Sequence, residues 1–387
     1  VRAVTRTLII GLCLGLLAAG CSKDKADKPA ELVPMKNRID IKTVWHTKLG
    51  GEKPRLRLGL GIAVEQQRVF AASNNGHVDA FDLSGGKQIW QRALKAPLSA
   101  GPAAGDGLVV VASSKGDVIG LSAQDGTQLW RVRINAEILA APAIGNGLVI
   151  VRAVDGRMHG LSAKDGSEFW VMDQQVPRLS LRGTSRPIVV GELAICGFDN
   201  GRVVAVATGN GTSAWEVAVG QSHGSTELQR LIDVDAAVVS DQDDLFASAY
   251  QGRVAKLVRE TGQIEWARDL SSFRGLAVDA NAVYVSTADG DLVRLDRRTG
   301  AEQWRVKTLE RRQLSGPVVY RGRVVVGDFA GFLHWFDVAT GDPIARVAIG
   351  KKQRISAAPV VAGDLLLVFG DDGELAALRA PELPSGG

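Results

Sequence analysis

An all-β fold, an eight-bladed β-propeller of four-stranded antiparallel blades, is what this 387-residue sequence predicts, on three observations. A turn glycine recurs eight times in the same local pattern, at Gly76, Gly116, Gly156, Gly201, Gly252, Gly290, Gly331 and Gly373. In seven of these units a second glycine follows ten residues later: Gly86, Gly126, Gly166, Gly211, Gly262, Gly300 and Gly341. In six units a tryptophan stands four residues beyond the second glycine: Trp90, Trp130, Trp170, Trp215, Trp266 and Trp304. A repeat period of about forty residues marks units that bury their faces against one another.

Each element of the unit follows from local chemistry. In GDVIGLSAQDGTQLW the apolar run Val118 to Leu121 lies between Gly116 and Asp125-Gly126, and a strand carrying Trp130 follows. Asn-Gly and Asp-Gly pairs supply the positive φ that tight hairpins require, since glycine has no Cβ to clash. Upstream, Leu108 to Val111 is a β-branched run too short for a helix. Four short strands joined by hairpins form one blade of a propeller.

The ends of the chain complete the ring. The last unit, GELAALRAPE from Gly373, stops before its tryptophan strand, whereas Trp45 in IKTVWHTKLG has no unit of its own. The two ends are therefore expected to share one blade, which removes two exposed sheet edges. Ala345 occupies the tryptophan position of the seventh unit. The fixed offset of the tryptophans points to packing between blades rather than to a ligand-binding stripe.

Composition narrows the function classes. The net charge is +4 and no basic stripe is interleaved with aromatics, so nucleic acid is not an expected partner. Residues 1–20 have the form of a signal peptide, with Arg2 and Arg6 before an apolar run from Leu8 to Ala19 and the small residues Ala18, Ala19 and Gly20 before Cys21. The segment resembles a bacterial lipoprotein signal, in which Cys21 is fatty-acylated after cleavage; the alternative is an ordinary secretory signal with an incidental cysteine. Ser22 in place of Asp after that cysteine resembles the sorting signal for the periplasmic leaflet of the outer membrane. Residues 21–40, charged and with two prolines, read as a flexible tether, 41–380 as the propeller and 381–387 as a tail. With Cys13 in the leader and Cys21 acylated, Cys196 stands alone; no disulfide is available, and it is expected to be a small buried apolar residue.

Motifs that suggest an enzyme fail on context. Gly220 to Gly224 matches G-x-S-x-G, but that elbow needs a strand-to-helix turn, and here it follows the outer strand of a blade. Gly209 to Ala214 looks like a dinucleotide fingerprint but is one more copy of the second hairpin. The five histidines have no metal-ligand spacing. Asp233 and Asp235 begin a calcium-like loop in which Ala237 replaces the next oxygen ligand. No catalytic residue, metal or cofactor is expected.

The lengths of the crossings between blades point to a site. Regular units place 26 residues between a tryptophan and the next turn glycine, as from Trp90 to Gly116; Trp170 to Gly201 spans 31 and Trp215 to Gly252 spans 37. Insertions on one face of a repeat array mark a binding surface or are thermodynamically cheap embellishments. The first crossing contains Leu179-Ser180-Leu181-Arg182-Gly183 and the second Leu231-Ile232-Asp233-Val234-Asp235. Leu179, Leu181, Arg182, Asp233 and Asp235 would make an apolar patch with a polar rim of both signs, the anatomy of a protein-binding site. The alternative pairs Arg182 with Asp233 or Asp235 in a structural salt bridge.

GHVDAFDLSGGKQIW and GDLVRLDRRTGAEQW resemble the repeat of pyrroloquinoline-quinone-type propellers. Within that group the chain is similar to the BamB family, lipoprotein subunits of the outer-membrane β-barrel assembly (BAM) complex. The likeness covers the lipobox, the eight units, LSLRG (179–183) and GSTELQRLIDVD (224–235). It implies a monomer within a hetero-oligomeric complex, anchored to the membrane only by lipid. It also implies a non-enzymatic role in assembling and inserting outer-membrane proteins. Leu179, Leu181, Arg182, Asp233 and Asp235 would contact periplasmic POTRA domains of the BamA-type barrel subunit, and nascent outer-membrane proteins would be candidate further partners. Two readings compete: a quinone-dependent dehydrogenase-like propeller, whose adjacent cysteine pair and added length this chain lacks, and an envelope lectin or scaffold lipoprotein.

Overall fold

The computed structural model describes residues 28–49, 59–175, 177, 185–220, 232–350 and 353–382. Its strands form eight antiparallel sheets, the blades of a propeller, each with one anchor glycine in the hairpin between its second and third strands. Blades are numbered 1 to 8 in the order of those glycines. Blade 1 consists of Ile62–Glu65, Arg68–Ala72, His77–Asp82 and Gln88–Ala93, and the others repeat that order from the innermost strand outwards. Blade 2 gains a short fifth strand, Gly59–Leu60, parallel to its innermost strand with Gly59 opposite Ala100.

The ring closes as expected. Blade 8 takes Val360–Ala362, Leu365–Phe369 and Glu374–Arg379 from the end of the chain and Lys42–Lys48 from its beginning. Lys42 lies opposite Arg379, Trp45 opposite Ala377 and Lys48 opposite Glu374, so the closing pair is antiparallel like every hairpin around it.

Strands inside a blade are covered on both faces by neighbouring blades, which is why their sequence is a continuous apolar run. Val109, Val110 and Val111 are all fully buried, although their side chains alternate in direction.

The tryptophans join successive blades. Trp90 of blade 1 donates its indole N–H to the carbonyl of Ala123 in blade 2 at 3.1 Å, and Trp170 of blade 3 donates to Thr208 in blade 4 at 2.7 Å. The same bond runs from Trp45 to Leu83 at 2.9 Å across the closure. Each ring lies flat on the second glycine of the next blade. A Cβ on Gly126 would stand 2.6 Å from Trp90, and one on Gly86 would stand 2.5 Å from Trp45. Glycine is required there twice over, for the absent Cβ and for a φ near +70° (Gly86 +67°, Gly126 +72°).

Antiparallel connectivity puts the anchor hairpin and the crossing to the next blade on the same side of the ring. Leu94, leaving blade 1, donates its amide to Gly76 O at 2.8 Å, and Ile134, leaving blade 2, donates to Gly116 O at 2.8 Å. This side is the crossing face.

Residues 28–41 differ from the flexible tether that composition suggests for 21–40. They lie against the outer edge of blade 7, where Arg38 N donates to Ile344 O at 2.8 Å and Leu32, Ile39 and Ile41 pack on the apolar core. Prolines and charges dominate the average composition; these three apolar residues decide the placement.

Candidate partner-binding site

Blade 3 ends in Glu168–Asp173 and blade 4 begins with Ile188–Val190; blade 4 ends in Ser213–Ala218 and blade 5 begins with Val239–Asp241. The outer strands of blades 3 and 4 both end on the crossing face, where Gln174 N donates to Gly156 O at 3.1 Å and Val219 N to Gly201 O at 3.0 Å. Leu179, Leu181 and Arg182 lie outside the described residues, as does Cys21. Asp233 and Asp235 are described, and so are the ends of both crossings.

Those ends are fastened to each other. Ser185, closing the first crossing, is buried; its hydroxyl donates to Ala236 O in the second at 3.0 Å and accepts from Gly197 N at 3.2 Å. Asp233 forms a bridge with Tyr250 in the anchor hairpin of blade 5, accepting from Tyr250 N at 2.7 Å. Val234 N donates to Phe198 O at 3.2 Å, and the Val234 side chain fills the space over Gly197, where a Cβ would lie 2.3 Å from it. A side chain at 197 would displace the segment that carries both aspartates.

Beneath this segment lies a buried cluster of charge. Arg152, at the end of the blade 3 strand Leu148–Arg152, pairs with Asp199 of blade 4, and each side chain is 1% exposed. The guanidinium also stacks over Phe198, 5.1 Å from the ring centre. Burial opposes the charge on Arg152, but Asp199, by its own charge and by its hydrogen bond, favours it, with a net upward shift. Asp233 is fully buried, and among the described residues neither carboxyl oxygen has a hydrogen-bond partner. Burial above all, then the neighbouring Asp235 and Asp199, push its carboxyl up to about 9. Asp233 is therefore a neutral acid at physiological pH, beside a neutralised Arg152–Asp199 pair.

The structure thus separates two residues that the sequence treats alike. Asp235 is half-buried, whereas Asp233 is interior and shapes the segment from below. Arg152 and Asp199 were not singled out from sequence, although the repeat holds the signal. Four residues before the anchor glycine the other blades have Ala72, Ala112, Gly197, Ser248, Ser286, Gly327 and Phe369, so Arg152 is the one charge in that register. A third crossing is lengthened as well: Trp45 to Gly76 spans 31 residues, the same as Trp170 to Gly201.

Burial pushes the Cys196 thiol up to about 11, which leaves no thiolate for nucleophilic attack. Among the described residues no group of three His, Cys, Asp or Glu side chains is placed to hold a metal ion.

Comparison with known proteins agrees with the ring and its repeats. The family described as outer membrane protein assembly factor BamB matches residues 74–306 and 288–382. This chain belongs to the BamB family. The outer membrane protein assembly factor BamB of Pseudomonas aeruginosa is 45% identical over 368 residues, covering 95% of this chain and 97% of that protein. The crystal structure of BamB from Moraxella catarrhalis superposes with a TM-score of 0.81 at 28% identity, covering 88% of this chain and all of that one. The quinohemoprotein alcohol dehydrogenase of Comamonas testosteroni has the same fold, with a TM-score of 0.69, at only 13% identity.

Proposed function

We propose that this chain is a lipid-anchored, non-enzymatic scaffold of the outer-membrane β-barrel assembly machinery, attached through Cys21 to the periplasmic leaflet of the outer membrane. It docks on periplasmic POTRA domains of a BamA-type barrel subunit and assists assembly and insertion of outer-membrane proteins. The observation that carries the reading is near-full-length identity of 45% to a protein named as an outer membrane protein assembly factor.

The docking surface in this reading is the pair of crossings into blades 4 and 5. Leu179, Leu181, Arg182 and Asp235 meet the partner, and Asp233 holds the second crossing from within. Support comes from the hydrogen bond between Ser185 and Ala236, which makes the ends of the two crossings one unit. Reversing an interface charge places like charges together and costs at least about 1.4 kcal/mol, a factor of ten in affinity. Arg182→Glu and Asp235→Lys are therefore expected to lower co-purification with the barrel subunit at least tenfold while circular dichroism stays that of a β-propeller. Co-purification at the parental level would overturn the site.

The dehydrogenase-like fold supplies a competing reading with its own test. In an absorbance titration with pyrroloquinoline quinone and calcium the scaffold is expected to bind no quinone. Stoichiometric binding would favour the enzyme.

A further inference from the structure

Residues 28–41 form a strap over the outer edge of blade 7, whose outermost strand is Pro343–Ala348. Arg346 N donates to Asn37 Oδ1 at 2.9 Å, and Asn37 Nδ2 donates to Arg346 O at 3.3 Å. One side-chain amide thereby satisfies both backbone groups of an edge residue, as a strand partner would. Arg346 Nη1 donates to Val33 O at 2.9 Å, and Arg312 Nη1 donates to Ala30 O at 2.9 Å. Ala30 N donates in turn to Glu310 O at 3.0 Å.

The surface that receives the strap is pre-organised. Arg312 is fixed by the fully buried Asp328, through Nε at 2.8 Å and Nη2 at 2.7 Å, and stacks over Phe329. His334 Nε2 also meets Asp328, at 2.9 Å, while Arg346 Nε donates to His334 Nδ1 at 3.4 Å. Both arginines that grip the strap are thus held by the interior of blade 7.

Glu310 and Arg312 belong to the crossing from blade 6 to blade 7, so the strap ends on the crossing face. We propose that the strap sets where a membrane anchor leaves the disc. The exit is at the 6–7 crossing, and the bilayer therefore lies on the same face as the crossings into blades 4 and 5. This deepens the proposed function and rests on its reading of Cys21 and of the docking crossings. The partner is held between disc and membrane, the place for a periplasmic domain of a membrane-embedded protein.

Chain length decides the matter. From Cys21 to Lys28 the reach is at most about 25 Å, whereas an undocked chain from Cys21 to Ile41 would reach about 70 Å. The longer leash would let either face turn to the bilayer; the shorter one holds the crossing face to it.

Two measurements test this. In the leaderless chain, Cys21 takes a nitroxide while the buried Cys196 does not, and a second nitroxide is placed at Lys307→Cys on the crossing face. Pulsed dipolar spectroscopy is expected to give a narrow distance distribution that at least doubles in width in Leu32→Ser/Asn37→Ala/Ile39→Ser. A parental distribution as broad as the variant's overturns the strap. The lipidated chain on phosphatidylethanolamine–phosphatidylglycerol vesicles then carries a fluorophore at Lys307→Cys or, on the opposite face, at Asp106→Cys. Headgroup-attached quencher is expected to quench position 307 at least threefold more; equal or reversed quenching overturns the orientation. A chain that fails to sediment with the vesicles refutes the Cys21 reading, while the spectroscopy still decides the strap.

Discussion

Trp335 stands directly opposite Ala345 in blade 7, the reverse of the other blades, where the tryptophan is on the outermost strand. Trp130 faces Gly120 and Trp90 faces Ala80. The reversal follows from ring closure. A tryptophan on an outermost strand needs the second glycine and a carbonyl of the next blade's outer hairpin. In blade 8 that hairpin does not exist, because Glu374–Arg379 pairs with Lys42–Lys48 from the other end of the chain. Trp335 fills the volume from the third strand instead, edge-on to Tyr320 at 6.0 Å, and its indole N–H has no hydrogen-bond partner among the described residues.

The two kinds of tryptophan should respond differently to phenylalanine. Trp170→Phe loses the bond to Thr208 O, leaves that buried carbonyl unpaired and is expected to cost about 2–3 kcal/mol. Trp335→Phe removes an already unpaired N–H and should cost about 1 kcal/mol or less. Urea unfolding of the two variants checks the order; equal losses would remove the explanation.

Gly126→Ala should destabilise by about 3 kcal/mol. Its Cβ enters the Trp90 ring at 2.6 Å, and alanine also takes on a φ of +72°, which alone costs about 1–2 kcal/mol. Gly107→Ala, with a similar φ of +76° but open space around it, should cost only the backbone part. The difference, read by thermal denaturation, isolates the tryptophan contact.

Asp233 makes stability depend on pH in a defined direction. Its carboxyl rises from 3.8 in the unfolded chain to about 9 in the fold. The folded state therefore binds the extra proton between those values, and the group's contribution is complete below 3.8 and lost as pH climbs towards 9. Asp233→Asn mimics the neutral acid. It should leave the melting temperature nearly unchanged at pH 4 and raise it by roughly 5 °C at pH 8. A shift of the same size at both pH values would contradict the burial argument.

The strap should loosen in acid. Burial, despite the nearby Asp328, lowers the pKa of His334 from 6.5, so the ring is neutral at pH 7, with Nε2–H towards Asp328 and Nδ1 accepting from Arg346. Protonation puts a hydrogen on Nδ1 and a third cation beside Arg346 and Arg312. With the folded pKa below the unfolded one, stability is present above 6.5 and falls as pH drops through the lowered value. Hydrogen exchange at the amides of Ala30 and Arg38, corrected for intrinsic rate, should quicken at least tenfold between pH 7.5 and pH 5.

Much of this molecule is local and periodic, and that part is legible in the amino-acid order alone. Glycines that need positive φ, β-branched runs between them and a tryptophan at a set offset each act within one unit, so counting units returns the blades and the shared closing blade. Long-range encounters are different. Arg152 and Asp199 are 47 residues apart, and adjacent blades bring them together in the interior. Asp233 looks like an ordinary surface acid until burial by its neighbours makes it neutral.

The strap shows the same division: its residues read as solvated chain, and only the edge of blade 7, about 300 residues away in sequence, supplies the carbonyls and arginines that hold it. The repeat pattern by itself determined the ring, its closure and the packing of its blades. Which charges are interior, and where the leading segment is held, were decided only when distant blades met, because desolvation and edge pairing depend on neighbours that no single unit contains.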